Sequence, residues 1–248
     1  MQLATTAPST LASTPAPAPA PLPTPAPAQL AAFDLVLRHH TELDALVLDE
    51  TAQPWVLQRL LGLSLIGLAV HGLLLGSAYP LLGVSTALGG GSGGAPLAVS
   101  LAMVLSFLGT TCLCLPSFWF YTQLAGLDGT LRLVVCQALR AQAATSTLLL
   151  GLAPFYAALL LSSLHGTLPP GTALALGWAL PFLCGLGGVR ALLRAFAGVL
   201  DKLPITLTRR GPFLLKLVLA WAAVFTVVCA ALLWVLAGAI PAALGAVR

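Results

Sequence analysis

The sequence predicts an all-α polytopic membrane protein, a bundle of five transmembrane helices with short amphipathic interfacial helices. Hydrophobic residues make up 58% of the 248 residues and charged residues only 7%, whereas about a quarter of a soluble domain is charged. Five stretches of roughly 20 residues, the length that crosses a hydrocarbon core, contain no Asp, Glu, Lys or Arg. Nearly all the charges fall in alternate connections between those stretches. The bilayer is therefore the predicted solvent for most of the chain.

Residues 1–30 predict a disordered Pro/Ala-rich cytoplasmic tail. The run STPAPAPAPLPTPAPAQ has no charge and no aromatic residue, and its prolines favour an extended polyproline II conformation over a packed one. The tail lacks both the basic start and the continuous apolar segment of a signal peptide. The first hydrophobic segment begins near residue 60, so we expect it to act as an uncleaved anchor.

Residues 31–59 predict a cytoplasmic amphipathic helix and a lead-in to the first span. Apolar residues recur there at helical spacing, while Asp34, Arg38, Glu42 and Asp49 lie mostly off that stripe. The stripe consists of Phe33, Val36, Leu37, His40, Leu43 and Val47. Such a helix lies in the membrane interface or packs under the bundle, and a groove for a partner protein is the alternative.

Two later segments repeat this amphipathic pattern and predict further short interfacial helices. In residues 130–142 the polar side consists of Arg132, Gln137 and Arg140. Residues 190–203 carry the same pattern. The apolar stripes are Leu131, Val134, Val135 and Leu139 in the first segment, and Leu192, Leu193, Phe196, Val199 and Leu200 in the second.

The five predicted spans make up a transmembrane domain over residues 60–240, followed by a short outside tail at 241–248. The spans are Leu60–Tyr79, Ala95–Leu115, Ala144–Ser163, Thr172–Val189 and Leu217–Ile240. Pro154 and Pro181 lie inside the third and fourth spans, where a proline removes a backbone hydrogen bond and kinks the helix.

The distribution of cations predicts the orientation. Of the eleven Lys and Arg residues, only Arg248 falls on the second side of the predicted membrane, and all seven acids fall on the first. Cytoplasmic connections carry the excess of Lys and Arg, so we expect a cytoplasmic N-terminus and an outside C-terminus. The Ala/Leu/Gly-rich spans are typical of a GC-rich bacterium, which predicts the inner (plasma) membrane.

A basic cluster lies between the fourth and fifth predicted spans. It consists of Arg190, Arg194, Lys202, Arg209 and Arg210. Each juxtamembrane cation contributes about 1 kcal/mol of attraction to an anionic leaflet. The predicted partners are therefore the lipid bilayer and its anionic lipids, together with a possible membrane or cytoplasmic protein. Nucleic acid is not among them.

His71 is the only Asp, Glu, His, Lys or Arg within the five predicted spans, and an ionisable residue there is a functional hypothesis. Gly72 and Gly76 beside it form a small-xxx-small face that allows close helix approach. One interpretation is a neutral imidazole hydrogen-bonded across that contact, to Ser106, Thr110 or Tyr156. The other is a wet, conducting cavity, although no Asp or Glu accompanies it in the spans.

No catalytic, cofactor or metal site is predicted. Cys112, Cys114, Cys184 and Cys229 lie within predicted spans, where a free cysteine behaves as a small apolar residue. Closed metal sites need about four converging ligands. The sequence contains no arrangement of nucleophile and base, so we do not expect an enzyme.

Part of the sequence resembles the Yip family of small multi-pass membrane proteins. The run CLPSFWFYTQLAGLDGTLRLV, followed by LLLGLAPFYAALLLS, is similar to bacterial Yip-like sequences. In those sequences a proline ends the second span, a glycine-containing turn follows, and a second proline sits within the third. The resemblance covers about residues 55–240 and implies a five-span protein with a cytoplasmic N-terminal segment. Eukaryotic members are associated with membrane traffic and small GTPases, but no motif here carries that activity.

Together these observations favour a non-catalytic membrane scaffold, adaptor or membrane-organising protein that acts through its cytoplasmic face. The alternative is a small transporter or channel subunit with an intramembrane cavity around His71, Pro154 and Pro181.

Overall fold

The computed structural model describes residues 32–83, 95–124, 130–200 and 211–246, and every regular element in those ranges is a helix. The helices are α1 (Ala32–Leu37), α2 (His40–Leu48), α3 (Gln53–Leu81), α4 (Ala95–Leu124), α5 (Leu131–Leu164), α6 (Pro170–Leu200) and α7 (Gly211–Ala246). The predicted tail at 1–30 and the residues Lys202, Arg209, Arg210 and Arg248 lie outside the described ranges.

Five helices of the described chain, α3 to α7, are long and apolar enough to cross a membrane. The predicted all-α architecture with five such helices is confirmed. The predicted ends of the five spans do not match the ends of the helices. Every helix except α4 begins before its predicted span, and all five helices continue beyond it. The predicted tail at 241–248 is accordingly helical as far as Ala246.

Two of the predicted interfacial helices are extensions of membrane-length helices. α5 begins at Leu131, where the Thr130 hydroxyl accepts a hydrogen bond from the Leu133 N–H and caps the helix. α6 continues through Arg190 and Arg194 to Leu200. No proline interrupts either segment, and Leu, Ala, Arg and Gln all have high helix propensity.

The N-terminal segment contains two short helices where one was predicted. α1 and α2, which we call the N-terminal arm (residues 32–48), are separated at Arg38 and His39. After α2, the Asp49 carboxylate accepts hydrogen bonds from the Thr51 hydroxyl and the Thr51 N–H. These bonds hold the pKa of Asp49 below its usual value.

The bundle is built around α3, which packs against both α4 and α5. α6 packs against the other side of α5, and α7 packs against α4, while the contact between α6 and α7 is much smaller. The apolar core contains Leu68, Leu75 and Leu149, none of which is exposed. A second apolar cluster joins α4, α5, α6 and α7 around Phe118.

Candidate functional site

His71 occupies a buried contact between α3 and α6. Its side chain is 1% exposed, and Nε2 lies 2.9 Å from the backbone oxygen of Gly177. A carbonyl oxygen can only accept a hydrogen bond, so Nε2 carries the proton. Nε2 therefore donates this bond, and the other ring nitrogen, Nδ1, has no hydrogen-bond partner among the described residues.

The position of Pro181 explains why the Gly177 oxygen is available. In an α-helix this oxygen would accept from the N–H four residues later, which is residue 181. Pro181 lies inside α6 and has no N–H to donate. His71 therefore supplies the hydrogen bond that the proline removes from its own helix.

Tyr156 of α5 completes this contact. Its ring lies 5.6 Å from the imidazole, centroid to centroid, and its hydroxyl donates to the Ala173 oxygen of α6 at 3.3 Å. A Cβ at Gly177 would overlap the Tyr156 hydroxyl, so glycine permits the approach. The ring contact joins Tyr156 to His71, but the predicted hydrogen bond to Tyr156 is wrong.

The other two predicted partners of His71 are wrong as well. Ser106 and Thr110 are buried in α4. The Ser106 hydroxyl has no hydrogen-bond partner in the described part of the protein, and the Thr110 hydroxyl interacts with the Cys229 thiol instead of His71. The predicted partners were all side chains, whereas the group that accepts the bond from His71 is a backbone oxygen. A proline four residues after Gly177 was the signal that could have identified it.

Gly72 and Gly76 form the seam between α3 and α4. A Cβ on Gly72 would lie 2.5 Å from the Ser100 Cα, and a Cβ on Gly76 would lie 2.5 Å from the Pro96 Cα. Both neighbours are backbone atoms, which cannot rotate away. Ser100 donates to the Ala69 oxygen across the same seam, at 3.1 Å.

A second polar link between α3 and α6 was not predicted. The indole Nε1 of Trp178 donates to the Tyr79 hydroxyl at 2.7 Å. Buried tryptophan and tyrosine side chains generally need such partners for their polar atoms. With the bond from His71, this link holds α6 to α3 although the two helices share little other contact.

Part of the polar side of the first half of α5 faces inward, contrary to the prediction, although Arg132 is exposed and Val134 and Leu139 of the predicted apolar stripe are buried, as predicted. Gln137 and Arg140 are 3% and 4% exposed, whereas Leu131 of the predicted apolar stripe is exposed. The guanidinium of Arg140 donates to the Asp44 carboxylate of α2. The N-terminal arm covers this side of α5 and supplies the countercharge, which a pattern within one helix cannot reveal.

The N-terminal arm is held by apolar contacts as well as by this ion pair. Val36, Leu43 and Val47 are buried in a cluster with residues of α3 and α5. Phe33 and Leu37 of the predicted stripe are instead 42% and 44% exposed. Most of the stripe is thus used within the molecule, and part of it remains on the surface.

The remaining predicted residues are separate from His71. Arg190 and Arg194 are exposed near the end of α6, and the other three members of the basic cluster lie outside the described ranges. Cys112 is exposed, while Cys114, Cys184 and Cys229 are buried and unpaired. No group of three or more His, Cys, Asp or Glu side chains in the described ranges is arranged to hold a metal ion.

A cavity of about 260 Å³ lies between α5, α6 and α7. Pro181 lines it, but His71 and Pro154 do not, so these three residues do not share it. The hypothesis of an intramembrane cavity around all three therefore finds no counterpart in this cavity. Comparison with protein-family models, curated proteins and solved structures finds no match to this chain.

Proposed function

We propose that this protein is a non-catalytic integral membrane scaffold or adaptor whose N-terminal arm presents a binding surface at the cytoplasmic face. The observation that carries the proposal is the docking of the arm on α5. The Asp44–Arg140 ion pair and three buried apolar side chains fix its position. A fixed arm offers a defined surface, since little ordering entropy is then lost on binding.

The outer side of the arm has the composition of a protein contact. Phe33, Leu37 and Leu48 are exposed apolar residues. Arg38 follows Leu37 in the chain and Asp49 follows Leu48, and both charged residues are exposed. An apolar centre with polar residues at its rim is typical of such interfaces. The proposed partner is a membrane or cytoplasmic protein.

We place the five long helices in a bacterial inner membrane, with the N-terminus in the cytoplasm and the C-terminus outside. Their length and hydropathy support the membrane placement, and the positive-inside rule supports the orientation. In this placement Arg190 and Arg194 lie at the cytoplasmic face, where they and the rest of the basic cluster contact anionic lipids. Kinship with the Yip family is part of the proposal and rests on local sequence resemblance.

A pulldown from detergent-solubilised membranes tests the scaffold role. We expect a partner in stoichiometric amount that is lost in the double variant Leu37→Ser/Leu48→Ser. Leu164→Ser is the matched control, because Leu164 is also an exposed leucine but lies at the far end of α5. Equal recovery of the partner with all three proteins would contradict a role for the arm.

The transporter alternative is less well supported, because the His71 imidazole is sealed in a helix contact and occupied by a structural hydrogen bond. Solute flux into liposomes containing the purified protein is the discriminating measurement. Flux that is lost in a fully folded His71→Gln variant would favour the transporter over the scaffold.

A further inference from the structure

The cavity between α5, α6 and α7 lies apart from the N-terminal arm and from His71. Buried residues of α4, α5, α6 and α7 form its inner wall, among them Phe107, Gln142, Leu192 and Trp221. Its exposed lining residues, which include Leu186 and Thr226, belong to α6 and α7. The cavity therefore opens between α6 and α7, on the outer surface of the bundle.

Glycines on α6 explain both the close packing on one side and the space on the other. A Cβ on Gly188 would lie 2.6 Å from the Ala141 oxygen, so this glycine allows α6 to pack tightly on α5. A Cβ on Gly185 would meet no atom within 4 Å. Gly185 lines the cavity, and the absent side chain leaves part of the space empty.

The lining is apolar and aromatic, with one buried carboxamide. Phe107 and Phe225 contribute contacting rings, and none of the lining residues that the structure describes is charged. Gln142 donates from Nε2 to the Thr111 hydroxyl at 3.1 Å. Its Oε1 has no hydrogen-bond partner in the described ranges, and a buried acceptor without a donor is costly.

We propose that this cavity binds a neutral long-chain lipid alcohol. The hydrocarbon chain lies among the aromatic rings, and the hydroxyl donates to Gln142 Oε1. An apolar cavity of roughly 150 Å³ accepts benzene, so about 260 Å³ accommodates a segment of one chain. A charged headgroup would find no countercharge among the described lining residues. The inference rests on the proposed membrane placement, because the opening must face lipid.

Photo-crosslinking tests the site. The purified full-length protein in phosphatidylcholine nanodiscs is exposed to hexadecanol carrying a mid-chain diazirine. We expect labelled peptides from α6 and α7, with labelling reduced by excess hexadecanol. Gly185→Leu fills the cavity and removes most of the labelling. Gly151→Leu is the matched control, since a Cβ on Gly151 also meets nothing within 4 Å and Gly151 does not line the cavity.

Competition tests the role of Gln142. We expect hexadecanol to compete better than hexadecane, and Gln142→Leu to weaken competition by hexadecanol roughly three- to tenfold, the equivalent of one hydrogen bond. Ala223→Phe, at the exposed rim, provides a second blocking variant that leaves the inner wall unchanged. Thermal unfolding checks that each variant is folded.

Two results would overturn the inference. One is undiminished labelling of folded Gly185→Leu and Ala223→Phe, and the other is equal competition by hexadecane and hexadecanol. These outcomes are distinguishable from failure of the proposed function. Failure of the membrane placement appears as failure to enter nanodiscs, and failure of the scaffold role appears in the pulldown while labelling stays intact.

Discussion

The imidazole Nε2 of His71 lies 2.9 Å from the backbone oxygen of Gly177, and Pro181 is the residue that leaves this oxygen without its helical donor. The only histidine in the long apolar stretches and a proline 110 positions away in the chain therefore form one structural unit.

This unit predicts that His71 and Pro181 are energetically coupled. We expect His71→Leu to lower the free energy of unfolding by about 0.5–2 kcal/mol, the range for an interhelical hydrogen bond among apolar helices. His71→Gln retains an N–H donor and costs less. In a Pro181→Ala background the helix can satisfy Gly177 itself, so His71→Leu has a smaller effect there.

A double-mutant cycle of unfolding in detergent micelles measures this coupling. Equal costs of His71→Leu in both backgrounds would remove the link between the two residues. If His71→Gln and His71→Leu lower the free energy of unfolding equally, the hydrogen bond is not what His71 contributes to stability.

The α3–α4 seam predicts that glycines of the same helix differ sharply in the stability lost when each is replaced by leucine. Gly72→Leu and Gly76→Leu push side-chain atoms into the backbone of α4, and we expect a loss of about 1–3 kcal/mol or more. Gly62→Leu is the control on α3, because a Cβ there meets nothing within 4 Å. Thermal unfolding of the three variants checks the contrast, and similar melting temperatures would contradict it.

The Asp44–Arg140 pair predicts that the N-terminal arm can be released selectively. Asp44→Asn leaves the buried Arg140 guanidinium without its countercharge, and we expect arm docking to weaken by about 1.5–3 kcal/mol. Limited proteolysis at residues 49–52 should then accelerate. Glu50→Gln is the control, since Glu50 is exposed, and equal cleavage rates in the two variants would show that the ion pair does not hold the arm.

The basic cluster predicts a measurable preference for anionic lipid. Neutralising Arg209 and Arg210 is expected to weaken association by about 1 kcal/mol per charge, and neutralising Arg190 and Arg194 by a similar amount. Binding to nanodiscs with and without phosphatidylglycerol measures the effect, with Arg248→Gln as the control at the other predicted face. Unchanged binding would leave the cluster as a determinant of orientation alone.

The alternation of charged connections predicts the orientation of the chain. A reporter fused after Arg248 is expected outside the cytoplasm, and one inserted within residues 201–212 inside it. Enzymatic reporters active in only one compartment make the measurement. A cytoplasmic signal after Arg248 would contradict the five-span topology.

The number of long helices could be predicted from the sequence, because charge-free apolar stretches of spanning length are a strong local signal. Their ends could not, since helix propensity continues beyond the apolar stretch, as at Leu131. Pro116 illustrates the same limit. The resemblance implied that it ends the second span, but α4 continues to Leu124, where Phe118 is packed against Trp221.

The contacts at the candidate site depended on relationships between helices that are distant in the chain. Arg140 has the hydrophilicity of a surface residue, and only the docked arm explains its burial. The hydrogen-bond partner of His71 is a backbone oxygen, so a search for polar side chains could not identify it. Gly72 and Gly76, by contrast, could be selected in advance because their spacing alone places them on one side of a helix.

The attachment of α7 to α4 also bears on the order in which the protein is assembled. Synthesis proceeds from the N-terminus, so α3 to α6 are complete while α7 is still within the ribosome. Until α7 arrives, Phe107 and Phe118 lack the rings of Phe225 and Trp221 that later contact them. The nascent intermediate with only the first four of the five long helices thus carries an unfinished aromatic surface on α4, and α7, which is made after them, covers it.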